Sequence, residues 1–301
     1  MQSITNYIKH PRFLGKSLLY RFGSRLSDSL YLRLLYYFQM GKKLDLKHPK
    51  TFNEKLQWLK LYDHRPEYAT MVDKYAVKDY VANIIGQEYI IPTLGVWDRP
   101  EDIAWDELPR QFVLKATHGG GSKGVVICKD KLNFDKEKAI ADLNKAMKRS
   151  LYQRFREWPY KNVPKRILGE VYMEDFKTHA LNDYKFFCFN GIPSICGVFS
   201  GRWSSVTSDY FDMEWSHLPF TIRNIPFADS VPPKPLSFDT MRQLAAKLAA
   251  GYPHLRVDFY EVNSKVYFGE LTFFSASGFS QFSPQRYDEI LGDKIILPSH
   301  K

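Results

Sequence analysis

Two acids near the C-terminus, Asp258 and Glu270, sit in runs of strand character, Leu255 to Val262 and Val266 to Phe273, joined around Asn263-Ser264. With a three-residue loop at 263–265, Asp258 faces Glu270 and Arg256 faces Thr272, and period-two alternation puts all four side chains on one face. Carboxylates opposed on neighbouring strands repel unless positive charge lies between them. Mg2+ is one such charge, because it takes one or two carboxylates and completes its shell with phosphate oxygens and water. A solvated strand face is the plain alternative, and a two-residue loop would offset the pairing by one.

A second stretch, Lys115-Ala-Thr-His-Gly-Gly-Gly-Ser-Lys-Gly124, satisfies GxGxxG with Gly119, Gly121 and Gly124. A dinucleotide fingerprint needs a helix next, yet Val125 to Cys128 has β character. No Gly-Lys-Ser/Thr closes the stretch as in a Walker A loop, and neither HRD nor DFG occurs in the chain. What remains is a glycine turn between two strands, with Lys115 closing the first. Its backbone N–H groups could cover phosphates that Lys115 neutralises, or it could be a plain turn. Third, Asp183 and Lys185 share a face at the start of a strand. They suit a ribose hydroxyl beside a phosphate, or a surface ion pair.

Several elements must position these residues. Thr51-Phe-Asn-Glu54 is a capping box that opens a helix. Asp73 to Ile85 and Phe134 to about Tyr152 have helical spacing, as does Phe238 to Ala250 after the proline-rich Val231 to Pro235. Gln111 to Lys115, Val125 to Cys128, Ile167 to Met173, Tyr184 to Phe189 and Ile195 to Phe199 read as strands. Long helices mixed with antiparallel hairpins predict an α+β class.

The 301 residues, 44% hydrophobic and 25% charged, suffice for one large or two ordinary domains. No apolar run reaches the roughly 18 residues of a membrane span, and the N-terminus lacks an apolar block with a cleavage site. Three cysteines without CxxC spacing, Cys128, Cys188 and Cys196, predict a reduced, cytoplasmic chain without a zinc site.

Residues 1–50 hold ten Lys or Arg against Asp28 and Asp45, which is eight of the chain's ten net positive charges. So uneven a distribution, with no zinc-finger or RNP-type motif, argues against nucleic acid as a partner. Aromatic and aliphatic residues interleave with the cations. This segment is therefore expected either to dock on the body by its apolar face or to lie on an anionic membrane surface.

Lys50-Thr-Phe-Asn-Glu-Lys-Leu-Gln-Trp-Leu-Lys60, Val72-Asp-Lys-Tyr75, Phe112 to Gly119, Asp183 to Phe187, Arg256-Val-Asp258 and Gly269 to Thr272 together resemble the TupA-like branch of the ATP-grasp fold. That branch is associated with teichuronopeptide and other polysaccharide biosynthesis. The resemblance covers the chain from about residue 42 to its end. It implies an ATP-grasp fold, two α+β lobes clasping ATP: a basic helical segment 1–50, a helical region 51–110, a small lobe 111–175 and a large lobe 176–301. It implies ATP and Mg2+ as cofactors. Lys74 and Lys115 resemble the phosphate-contacting lysines, and Gly119, Gly120, Gly121, Ser122 and Gly124 the mobile phosphate loop. Glu170, Val171, Tyr172 and Met173 fall at the adenine position, with Asp183 at the ribose. Asp258 and Glu270 match the magnesium ligands, and Arg256, with Lys185, the cations at the transferred phosphoryl group. Thr272 stands where many ATP-grasp ligases have Asn, so its hydroxyl would be the third magnesium ligand, and Phe273 to Gly278 lacks the proline-glycine often found there.

The implied reaction is ATP-dependent, Mg-dependent ligation of a carboxylate to an amine through an acyl phosphate. Its acceptor would be a sugar acid or glycan, free or lipid-linked at the inner leaflet of the plasma membrane, and its donor an amino acid or other amine. A sugar kinase using the same ATP site, a nucleotide-sugar glycosyltransferase and a non-catalytic nucleotide-binding scaffold are the alternatives. Arg202, Trp203 and Trp215 are candidates for contact with the sugar acid.

Overall fold

The computed structural model describes residues 11–121, 124–176, 181–201 and 205–299. Two antiparallel helices come first, α1 (Pro11–Phe22) and α2 (Asp28–Met40). The Ser27 hydroxyl caps α2, and Gly41, at φ 71°, ends it. Helix α2 docks through Tyr31, Leu32, Leu35 and Tyr36, all buried. Helix α3 (Phe52–Tyr62) opens with the predicted capping box: Thr51 Oγ1 accepts from Glu54 N, and Glu54 Oε2 accepts from Thr51 N. No helix among the described residues is long and apolar enough to cross a membrane.

Helix α4 (Tyr68–Val72) leads to α5 (Ala76–Ile85). The sequence predicts one helix from Asp73, but residues 73–75 instead form a turn. Asp73 Oδ1 accepts from the Tyr75 N–H while Oδ2 takes Arg166 Nη2 at 2.7 Å, a local competition that delays the helix. The helix expected from Phe134 to Tyr152 is likewise split. Helix α6 (Lys136–Met147) is capped by Asp135, and α7 (Leu151–Phe155) starts afresh because Ser150 acts as a new N-cap.

A four-stranded antiparallel sheet has the order β1 (Thr93–Trp97), β4 (Ile167–Val171), β2 (Phe112–Ala116), β3 (Val125–Cys128). A six-stranded antiparallel sheet runs β11 (Lys265–Thr272), β10 (His254–Val262), β5 (Asp183–Phe189), β6 (Ile192–Ser200), β7 (Thr207–Phe211), β8 (His217–Leu218). A small ribbon pairs β12 (Phe282–Ser283) with β9 (Thr221–Ile222).

All seven residues of β5 are buried, because the larger sheet is covered on both faces here. Helix α8 (Phe238–Ala249) packs against β10, β5 and β6, and its Phe238 lies 5.6 Å from the Phe186 ring. Asp183 and Lys185 point the other way, onto the face that also carries Asp258. Helix α9 (Tyr287–Asp293) closes the chain against α3.

The C-terminal hairpin departs from the expected loop and still reaches the expected pairing. Its loop has two residues, Asn263 (φ 51°) and Ser264 (φ 63°), the doubly left-handed geometry that matches strand twist. From Val262↔Lys265 to Phe259↔Phe268 the register is therefore one residue off. A bulge at Gly269 then restores it, so that Asp258 pairs with Glu270 and Arg256 with Thr272. A Cβ on Gly269 would lie 3.0 Å from the Asp258 carbonyl oxygen and 3.1 Å from the Tyr260 ring, so a side chain fits the bulge only if its neighbours give way.

Candidate functional site

The hairpin and its neighbour β5 build a charged row across three strands. Register places Lys185 opposite Asp258 and Asp258 opposite Glu270. Lys185 Nζ lies 2.5 Å from Asp258 Oδ2 and 3.6 Å from Asp183 Oδ2. Arg256 reaches the same carboxylate with Nε (2.7 Å) and Nη2 (2.8 Å). The same Nη2 also lies 3.0 Å from Glu270 Oε1 and 3.1 Å from Thr272 Oγ1. One guanidinium nitrogen thus touches an oxygen of each of the three residues predicted to hold a metal.

The charges set one another's protonation. Burial alone would raise the Glu270 carboxyl, but Lys74, Arg256 and Lys185 outweigh it and hold it well below the usual carboxylate range. Arg256 shifts upward: burial opposes its charge, and Asp258 and Glu270 more than compensate. Asp258 is 1% exposed, whereas the Glu270 side chain keeps 30% of its surface open.

The smaller sheet supplies a facing set of cations. The Lys74 N–H donates to the Thr117 carbonyl just beyond β2, and Lys74 Nζ reaches Glu270 Oε2 at 3.1 Å, so one residue ties both sheets together. Lys115 on β2 and Lys78 on α5 each lie 2.5 Å from a different oxygen of Glu170 on β4. Burial would raise the Glu170 carboxyl, but Lys115 and then Lys78 hold it low. Lys74, Lys78, Lys115 and Glu170 line a cleft whose other wall includes Phe268 and Gly269, beside the hairpin bulge.

The predicted residues are therefore brought together in part. Lys74, Lys115, Glu170, Lys185, Asp183, Arg256, Asp258, Glu270 and Thr272 occupy the cleft or the adjoining strand face. Gly119, Gly120, Gly121 and Gly124 form the turn between β2 and β3 but are not among the residues lining the cleft. Ser122 lies outside the described residues, as do Arg202 and Trp203. Val171 ends β4, with Tyr172 and Met173 just beyond it; Met173 packs on the cluster of Ile91, Tyr260 and Val262. Trp215, a candidate for contact with the sugar acid, stacks on Phe211 with ring centres 4.1 Å apart and meets Phe238 edge-on. It is half-buried, packed against the core.

Lys78 was not anticipated. A helical lysine ordinarily reads as solvated, and its only sequence signal is its place four residues after Lys74. The polar face of α3 was also missed. Asn53, Gln57 and Lys60 bind backbone carbonyls of Ser280, of Ser277 and Gly278, and of Ser277. Gln57 and Lys60 hold the turn Ser275–Gly278, whose Ala276 and Ser277 are left-handed (φ 49° and 56°) and which follows β11 after Phe273 and Phe274, and Asn53 holds the segment just past it.

Among the described residues no group of three or more His, Cys, Asp or Glu could by itself hold a metal ion. Two carboxylates and a hydroxyl gathered about one cationic nitrogen nevertheless form an oxygen-only set that fits a hard cation such as Mg2+, provided phosphate or water completes the shell.

A family model described as TupA-like ATPgrasp matches residues 54–296. No curated protein matches the sequence significantly. Among solved structures, a D-alanine–D-alanine ligase from Helicobacter pylori is similar, with TM-score 0.44 and 14% identity over 82% of this chain and 69% of that one. A D-cycloserine synthetase gives TM-score 0.42 and 20% identity over 76% and 71%. The D-alanine–D-alanine ligase from Bacillus anthracis complexed with ATP gives 0.39 and 15% over 68% of this chain. The match spans about half the length of that last chain, 54%.

Proposed function

Since the chain belongs to the TupA-like ATP-grasp family, we propose that it is an ATP-dependent ligase that joins a carboxylate to an amine. The α+β fold, with its two antiparallel sheets, is that of an ATP-grasp protein. The observation that carries the proposal is the meeting of Arg256 with Asp258, Glu270 and Thr272 across a cleft lined by Lys74, Lys78 and Lys115. Such a site has little covalent work to do, because phosphoryl transfer is accelerated mainly by alignment and charge neutralisation.

In this reading Lys74 and Lys115 meet the phosphates, while Gly119, Gly120, Gly121, Ser122 and Gly124 close over them. The Glu170 carboxylate is committed to Lys78 and Lys115, so the adenine contact falls to the backbone of Glu170, Val171, Tyr172 and Met173. Asp183 takes the ribose. Asp258, Glu270 and Thr272 would hold Mg2+, which when bound supplies charge neutralisation at the phosphate oxygens. Arg256 and Lys185 face the group in transit. A substrate carboxylate oxygen attacks the γ-phosphorus, the bond to the ADP oxygen breaks, and an acyl phosphate forms. The amine nitrogen then attacks the acyl carbon, inorganic phosphate leaves, and the amine's proton passes to solvent. What Arg256 and Lys185 do is hold the developing negative charge.

The acceptor we propose is a sugar acid or glycan of cell-surface polysaccharide biosynthesis, lipid-linked and met by the chain in the cytoplasm at the inner leaflet. The donor is an amino acid or other amine. Melting curves with Mg-ATP, with UDP-sugars and without ligand test the first half, since a specific ligand raises stability by RT ln(1 + [L]/Kd). A shift with Mg-ATP alone is expected, and its absence sinks the proposal. ADP and free phosphate should then appear together when sugar acids and amino acids are both present. ADP without free phosphate would mean transfer to a hydroxyl, the kinase outcome.

A further inference from the structure

Helix α1 is inverted for a helix on a solvated surface. Its inward side is small, with Leu19 buried and Gly15 seated against Phe38, and Gly23, just past its end, sits against Leu19 and Tyr31. Its outward side carries Phe13 (58% exposed), Leu14 (43%), Leu18 (48%) and Phe22 (66%). Helix α2 adds Leu30 and Tyr37, both nearly half exposed. A single exposed leucine means nothing, but four large apolar groups on the open side of one twelve-residue helix mark a surface built to be covered. Arg12, Lys16 and Arg21 share the helix, which holds no acid.

The charge decides what covers it. Residues 1–50 carry eight of the ten net positive charges, so a second copy would bring like charge against like. An anionic lipid surface matches both halves of the pattern: apolar groups enter the headgroup boundary while cations meet lipid phosphates. We propose that α1, assisted by Leu30 and Tyr37 of α2, docks the chain on an anionic membrane surface.

The hairpin's mounting relates that surface to the site. Tyr31 Oη donates to the Arg154 carbonyl, and Arg156 binds the Gly23 carbonyl and Asp28. Tyr36 and Phe155 each flank Phe279, at 6.1 and 6.2 Å between ring centres. Phe279 directly follows the strained turn that leaves the strand of Glu270 and Thr272. A docked α1 therefore ties the leaflet to the segment that leaves the strand of Glu270 and Thr272, the side from which a lipid-linked acceptor would arrive. That last step rests on the proposed ligase function; the docking does not.

Flotation of the full chain with phosphatidylcholine vesicles, with and without phosphatidylglycerol, tests the docking. The wild type should float with the anionic vesicles only, and less as salt is added. The combined change Phe13→Ser, Leu14→Ser, Leu18→Ser and Phe22→Ser, or separately Arg12→Glu, Lys16→Glu and Arg21→Glu, should lower the bound fraction at least about tenfold. Both variants should keep the wild-type melting shift with Mg-ATP; if the serine variant fails to fold, the charge-reversed one decides. No flotation, equal flotation on neutral vesicles, or full flotation of the charge-reversed variant overturns the proposal. So does a concentration-dependent dimer that the serine variant abolishes, which would assign the face to a second copy. A missing Mg-ATP shift with intact flotation would sink the ligase and leave the docking standing.

Discussion

Lys74 and Glu270, 196 positions apart in sequence, meet at 3.1 Å, and the backbone N–H of the same lysine is held by Thr117. A single residue in a turn between two helices thus connects the smaller sheet to the acidic hairpin of the larger one. The turn exists because Asp73 turns back on its own backbone and binds Arg166.

The two acids should respond differently to loss of charge. Glu270→Gln removes a partly open carboxylate whose charge Lys74 and Arg256 stabilise, so turnover should fall by roughly two to three orders of magnitude, with a smaller loss of melting temperature than in Asp258→Asn. Asp258→Asn leaves Lys185 and Arg256 buried without their main counter-charge, so it should also cost about 3–5 kcal/mol of stability. Phosphate-release assays beside thermal melts check both; normal turnover in Glu270→Gln would remove this carboxylate from the mechanism.

Lys115 and Lys78 share Glu170 but differ in exposure, 19% against 10% for their side chains. Lys115→Met should abolish the melting shift with Mg-ATP. Lys78→Met should lower the melting temperature of the unliganded chain, on the order of 2 kcal/mol. Equal Mg-ATP shifts in wild type and Lys115→Met would take this lysine out of the nucleotide site.

The bulge gives a third test. Gly269→Val forces a side chain against the Asp258 carbonyl and the Tyr260 ring, at a cost of about 1–3 kcal/mol. Turnover should drop much further than stability, because the Asp258–Glu270 pairing depends on that one extra residue. A variant that is destabilised yet turns over normally would show that the register is immaterial.

His254 predicts an acid limb in stability. Its ring is buried among Phe52, Phe187 and Phe189, and its Nδ1 lies 3.0 Å from the Cys188 carbonyl. Burial pushes the imidazole down to about 3, so between its ordinary value of roughly 6.5 and that point the unfolded chain binds the extra proton. Stability should fall as pH is lowered through this window, by up to about 1.4 kcal/mol per pH unit, and His254→Gln should flatten the slope. Denaturant midpoints measured across the window decide it: an unchanged slope in the variant means another group titrates.

Reading the sequence recovered the acidic pair because alternation and turn residues survive any fold that keeps the hairpin. It did so through the wrong loop length: the loop is shorter, and a bulge makes good the missing residue. A bulge leaves no trace in sequence beyond a glycine that could equally be ordinary. Lys78 and the inner face of α3 were illegible for another reason. Lysine, asparagine and glutamine on a helix read as solvated until a partner from a distant segment, here Glu170 or the turn at 275–278, arrives to meet them. Trp215 was illegible for a related reason, since an aromatic near a site reads the same whether its faces are open or one is stacked on Phe211.

The guanidinium of Arg256 keeps the hairpin's acids compensated when no nucleotide is present. In the proposed reaction an arriving nucleotide would exchange partners with groups already in balance, so that filling and emptying need not cycle the fold through a state of bare repulsion.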